Sequence, residues 1–278
     1  MPDNRGRKVR LRIAFGVSVL LLVAVGAVGA GRLFAHRSDN PGCLTSQRTG
    51  DCTRVLFLGN SYTSVNDLPV TFANLAWSGG HRVETAMQAP GGWGLSDHAL
   101  SQDTPPELAS KLWDIVVLQE QSQIPSVESF RQSQMYPAAR DLVGMIRAAN
   151  AKPIFFVTWA RQGGWPEYRM PDYASMQSSI DDGYTFIARE LQAALAPVGL
   201  AWMARLTESL DPDLWQDDGS HPSIAGTYLA ACVFYARIFG QSPVGLTFSS
   251  GLDAKVASQL QQVAFTTVLN DPSMWETL

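Results

Sequence analysis

From Arg54 onward, short β-rich runs alternate with helical patterns, and this alternation limits the possible folds more than any other feature of the chain. The runs are Val55–Leu58, Val83–Gln88, Ile115–Leu118 and Ile154–Trp159, followed respectively by helical stretches at Leu68–Trp77, Pro106–Leu112, Pro137–Ala149 and Tyr173–Leu195. A fifth run, Leu200–Ala204, precedes a turn at Asp218 and a helix over Ser223–Phe239, and Leu252–Val268 reads as one more helix. Strands joined through helices pair in parallel, and the helices cover both faces of the resulting sheet. Ligands of such sheets bind outside the carboxyl ends of the strands. Ser61, Gly91-Gly92, Gln119 and Trp159-Ala160-Arg161 all fall just after strand runs, so the pattern brings them to one edge.

Two segments at that edge carry a recognisable chemistry. Ser61 ends the first run in Gly59-Asn60-Ser61-Tyr62, and about 160 residues later the chain offers Asp218-Gly219-Ser220-His221-Pro222. A serine nucleophile needs an exposed hydroxyl on a sharp turn, an imidazole to take its proton and a carboxylate to orient that imidazole. Asp218 and His221, three positions apart, supply the last two from one turn; Asp217 is the rival orienter. Each segment alone also reads as an ordinary helix entry, with Ser or Asn as cap and Pro222 in the first turn. Other chemistries lack their motifs. Ser61 is followed by Tyr62-Thr63, so no Gly-x-Ser-x-Gly elbow exists. The only histidines are His36, His81, His98 and His221, without metal-ligand spacing, so neither a metal nor a cofactor is expected. Gly91-Gly92-Trp93-Gly94 is not followed by Gly-Lys-Ser/Thr and is no phosphate loop. His98 is expected to pack or hydrogen-bond rather than to act as a second base.

On these two segments the chain resembles the SGNH (GDSL-like) hydrolase superfamily, over roughly Arg54 to Gly240. In that family the nucleophile follows the first strand and an Asp-x-x-His pair precedes the last helix, as Ser61, Asp218 and His221 do here. The first block, usually Gly-Asp-Ser, is Gly59-Asn60-Ser61, and the glycine of the second block corresponds to Gly91-Gly92. The third block departs from pattern, with Val117-Leu118-Gln119-Glu120-Gln121-Ser122 where Gly-x-Asn-Asp is usual. A similar Gln in sialate- and xylan-acetylesterase-like branches makes Gln119 the expected oxyanion-hole side chain, beside Gly92, with Gln121 in reserve. The resemblance implies an α/β fold, a flavodoxin-like three-layer α/β/α sandwich with a parallel sheet of about five strands. It also implies a serine esterase acting on an acyl ester, acetyl foremost, of a carbohydrate or cell-envelope polymer or of a small ester. An O-acyltransferase using the same triad and a non-catalytic envelope-binding protein on the same fold are the alternatives. Among the aromatic residues, more often core than platform, Trp159 and Trp165 are the candidates for stacking on a sugar; Arg161 reads first as a solvated loop charge and, as the alternative, as a partner for an acidic substrate group.

The remaining 53 residues read differently. Residues 1–12 form a basic tip, 13–31 an apolar stretch, 32–53 a polar linker and 54–278 the hydrolase domain. Ile13 to Gly31 is uncharged and about long enough to cross a bilayer as a transmembrane helix, and the basic tip before it should stay in the cytoplasm. Val28-Gly29-Ala30 also resembles a cleavage site, so a cleaved signal peptide competes with a membrane anchor. Either reading puts the catalytic domain outside the cytoplasm, periplasmic or extracellular. Cysteine usage agrees, since Cys43 and Cys52 lie close enough for a disulfide, whereas Cys232 reads as a buried helix residue. Net charge is −4; without the first twelve residues, 16 basic and 24 acidic residues leave −8, which argues against binding nucleic acid through a basic face.

Overall fold

The computed structural model describes residues 40–208, 211 and 213–270. The apolar stretch at 13–31 lies outside the described residues; within them, no helix is long and apolar enough to cross a membrane. Five parallel strands form one sheet in the order β2-β1-β3-β4-β5: β1 (Cys52–Leu58), β2 (Arg82–Gln88), β3 (Ile115–Leu118), β4 (Lys152–Phe156) and β5 (Ala194–Ala196). This is the doubly wound order, in which the chain reverses direction across the sheet between β1 and β3 and leaves a crevice there.

Helices cover both faces, giving three layers. Alternate side chains of β1 divide between them: Val55 and Phe57 join one core, Leu56 and Leu58 the other. The same division holds for β3 and β4, which explains why these strands read as unbroken apolar runs. On the first face lie α2 (Leu68–Ser78), α8 (Val198–Glu208), α9 (Ile224–Phe239) and α10 (Ala254–Leu269). On the second lie α3 (Leu95–Leu100), α4 (Thr104–Ser110), α6 (Tyr136–Ala148) and α7 (Tyr173–Leu191). Two short helices, α1 (Ser61–Ser64) and α5 (Glu128–Phe130), complete the set. Cys232 is buried within α9 as a free thiol.

One strand is not where the sequence pointed. The fifth run, Leu200–Ala204, is helical and belongs to α8, while β5 is the three-residue Ala194–Ala196. Val198, Ala201, Trp202 and Arg205 are buried at helical spacing, a periodicity that a short apolar run alone does not disclose. Pro197, between strand and helix, is the overlooked signal, since proline suits the start of a helix.

Ahead of β1 the chain is fastened to the sheet. Cys43 and Cys52 form the expected disulfide, with Cα atoms 5.5 Å apart. The buried Arg54 side chain pairs with Glu84 at 3.2 Å and donates to the carbonyls of Gln47 (3.1 Å) and Thr45, while Arg48 pairs with Asp114 at 3.2 Å. Buried guanidinium groups are costly unless paired and hydrogen-bonded, and here the backbone of residues 45–47 supplies the acceptors.

Candidate active site

The turn after β1 is shaped by two residues that flank each other. Gly59 has no side chain because a Cβ there would lie 2.5 Å from Gln119 Oε1 and 2.6 Å from Thr63 Oγ1. Asn60 caps α1, its Oδ1 accepting the Tyr62 N–H at 3.0 Å, while its Nδ2 donates to the Trp93 carbonyl at 2.7 Å. An ionised aspartate would keep the cap and lose that second bond, so the Asn60 amide ties the turn at Ser61 to the Gly91-Gly92-Trp93 loop.

Ser61 therefore stands at the start of α1 with its hydroxyl free to meet the loop before α9. His221 Nε2 lies 2.9 Å from Ser61 Oγ, and His221 Nδ1 lies 2.5 Å from Asp218 Oδ2. The other carboxylate oxygen, Asp218 Oδ1, accepts the backbone N–H groups of Ser220 and His221, both at 2.9 Å. The hydrogen bond from His221, with those two N–H groups, brings the Asp218 carboxyl down to about 2, so it stays ionised through the neutral range. Asp217 makes no such contact with His221.

A small cavity of about 240 Å³ opens over this constellation. Gly92 lines it with φ of +80°, a conformation that strains any side chain, and so do Gln121, Ser122 and Arg161. The backbone N–H groups of Ser61 and Gly92 have no hydrogen-bond partner among the described residues.

Three expected site residues lie elsewhere. Gln119 is fully buried beneath the turn, its Oε1 accepting from the Asn60 N–H (3.0 Å) and Thr63 Oγ1 (2.9 Å) and its Nε2 donating to the Glu120 carbonyl at 2.6 Å. Both ends of its amide are occupied in holding the turn, so it is Gln121, not Gln119, that reaches the cavity. Gln121 Oε1 accepts the N–H groups of Gln123 (2.7 Å) and Ile124 (3.3 Å), which leaves the NH₂ as its donating end. Trp159 is 1% exposed, stacked between Tyr62 (4.6 Å between ring centroids) and Trp202 (4.1 Å), and cannot offer a face to substrate. Its indole N–H instead donates to the Ser220 carbonyl at 3.0 Å, bracing the histidine loop. Trp165 is half-buried against Tyr168 and Phe130 and does not line the cavity.

Tyr62 was not anticipated from the sequence. Its ring meets His221 edge-on at 5.9 Å and its hydroxyl lies 2.8 Å from Ser220 Oγ, so the residue after Ser61 docks the loop that carries His221. His98 is buried, its Nε2 lying 2.8 Å from the Gly59 carbonyl, and burial lowers its pKa. It is a neutral donor that fixes the backbone before Ser61, as expected of a hydrogen-bonding rather than a catalytic histidine.

Glu120 is fully buried behind the cavity. Oε1 accepts from the N–H groups of Leu95 (3.0 Å) and Gln121 (2.6 Å), whereas Oε2 has no partner among the described residues. Burial raises its pKa to about 7. The unfolded chain releases this proton near 4.5, whereas the folded chain keeps it until about 7. This group's contribution to stability is thus highest below pH ~4.5 and declines as pH rises through ~7, by about 3 kcal/mol in all. Urea titrations from pH 5 to 8 should show that decline in the wild type and a flatter profile in Glu120→Gln; equal slopes would reject the assignment.

No family model matches the chain, and neither does any curated protein. Solved structures do. An acetyl-xylooligosaccharide esterase variant from Geobacillus stearothermophilus matches with TM-score 0.53 and 16% identity, over 70% of this chain and 96% of its own. A DUF4886 family protein from Bacteroides uniformis matches with TM-score 0.65 and 20% identity, over 79% and 95%. At those identities the likeness is one of fold. An SGNH hydrolase from Slackia heliotrinireducens goes further, with TM-score 0.58 and 30% identity over 67% of this chain and 99% of its own. Identity at that level across essentially the whole length of a relative places this chain in the SGNH hydrolase family, as a serine ester hydrolase.

Proposed function

We propose that the chain removes an acyl group, acetyl foremost, from a carbohydrate or cell-envelope polymer, with Ser61 as nucleophile, His221 as base and Asp218 as the group that orients it. The observation that carries this reading is the continuous contact from Ser61 Oγ through His221 to Asp218, at 2.9 and 2.5 Å. In the first step Ser61 Oγ attacks the ester carbonyl as its proton passes to His221 Nε2, which then gives it to the departing sugar hydroxyl. Water, deprotonated by the same imidazole, releases the acid from the acyl-enzyme. The negative oxygen of each tetrahedral intermediate is met by the N–H groups of Ser61 and Gly92 and by the Gln121 amide. The small cavity favours a short acyl chain, and the acetyl-xylooligosaccharide esterase among the similar folds supports a sugar-borne acetyl. The Cys43–Cys52 disulfide supports work outside the cytoplasm, with export through the stretch at 13–31.

Acetate release from acetylated xylo-oligosaccharides, followed with and without an unacetylated glycan acceptor, tests the reaction. Free acetate in both conditions supports hydrolysis, whereas acetate that moves to the acceptor in place of release would make the chain a transferase. In the same assay Gln121→Ala should lower kcat by about 10²- to 10³-fold, the usual cost of one oxyanion donor. Gln119→Ala should instead cost about 1–3 kcal/mol of stability by orphaning the Asn60 N–H. The reverse pattern would return the oxyanion role to Gln119.

A further inference from the structure

Among the described residues, the cavity carries a cation, Arg161, that forms no ion pair with a carboxylate. Arg161 lines it beside Ser61 and His221, yet the guanidinium has no acidic partner among the described residues, and its Nε is buried without any hydrogen-bond partner. A buried polar donor left unpaired costs free energy unless something else satisfies it. Within the described residues, no Asp or Glu lines the cavity to do so.

Its backbone is held on both sides. The Ala160 N–H donates to Gln177 Oε1 at 2.7 Å, the Ala160 carbonyl accepts from Trp215 Nε1 at 3.3 Å, and the Gln162 N–H donates to the Gly219 carbonyl at 2.9 Å. The Arg161 carbonyl closes a turn onto the Gly164 N–H at 3.0 Å. Arg161 is thus fastened to the same turn that presents Asp218 and His221. With the backbone beneath it held in this way, the guanidinium can meet an oxyanion with a planar fork of donors.

We infer that Arg161 recognises an anionic group on the substrate, so that the preferred ester is carried on an acidic glycan unit rather than a neutral one. The inference rests on the esterase reading above and narrows its substrate class. The acyl group sits at Ser61 and the sugar's carboxylate or phosphate at Arg161, both within one cavity.

The test compares acetate release by the full chain from acetylated methyl glucuronide, acetylated methyl glucoside 6-phosphate and neutral acetylated methyl glucoside. One or both anionic esters should exceed the neutral one in kcat/KM by about 10- to 100-fold, the range of a hydrogen bond to a charged group, with the difference mainly in KM. Which anion wins distinguishes a carboxylate from a phosphate. Arg161→Gln should bring that ratio close to one. A wild type without preference, a preference that survives in the variant, or equal losses on neutral and anionic esters would each overturn the inference. Calorimetry on Ser61→Ala reads recognition without turnover: methyl glucuronide or methyl glucoside 6-phosphate should bind more tightly than methyl glucoside, and the advantage should vanish when Arg161→Gln is added. Equal binding of all three would reject Arg161's role. A chain that hydrolyses no ester in a Ser61-dependent way would defeat the esterase reading instead, while calorimetry still rules on Arg161.

Discussion

Ser61→Ala is expected to lower kcat for p-nitrophenyl acetate by about 10⁴- to 10⁶-fold, and His221→Ala by a similar factor, with the double variant little worse than either. The non-additivity follows from the geometry. In the proposed mechanism Ser61 Oγ and His221 Nε2, 2.9 Å apart, exchange one proton, so removing either abolishes the same event. Asp218→Asn should retain more activity than either, since the amide keeps the loop's backbone acceptor but no longer fixes the imidazole tautomer. Circular dichroism should report folded protein for all three, because Ser61 and the Asp218 turn lie at the rim of the cavity and not in the core. A folded Ser61→Ala that keeps more than about a tenth of wild-type turnover would sink the assignment.

Trp159→Ala should act through stability. The indole fills the space between Tyr62, Trp202 and Phe156, and truncating a buried tryptophan costs about 3–5 kcal/mol. Trp159→Phe keeps most of the packing but drops the bond to the Ser220 carbonyl, for a loss of about 1 kcal/mol. Denaturant midpoints and KM, measured together, separate a brace from a sugar platform. A brace moves the midpoint in both variants, and a platform raises KM for glycan esters while leaving the midpoint in place.

The contact among Ser61, His221 and Asp218 was legible because each part is local: a serine three residues after a strand, and an aspartate and a histidine three residues apart on one turn. The parallel sheet was legible for a similar reason, since strands buried on both faces spell continuous apolar runs. The third block was not. Gln119 and Gln121 differ only in where the backbone goes after β3, and that path is set by Glu120 accepting the Leu95 and Gln121 N–H groups, a contact between segments 25 residues apart. The same limit hid Trp159, whose burial is decided by Tyr62 and Trp202 from distant parts of the chain. Ala194–Ala196 became a strand through its pairing with β4, whereas the longer apolar run after Pro197 folded into α8.

Asp218 and His221 share one turn, and Asp218 accepts that turn's own N–H groups, so the contact between them is made within four consecutive residues. A single long-range distance, from Ser61 to His221, remains to be set. It is held by Tyr62 on Ser220, Trp159 on Ser220, and the Asn66 amide on the Pro222 carbonyl at 2.9 Å. Under the proposed mechanism, activity lost in mild denaturant before the far-UV signal of the sheet would report departure of this loop from its contacts with Tyr62, Trp159 and Asn66.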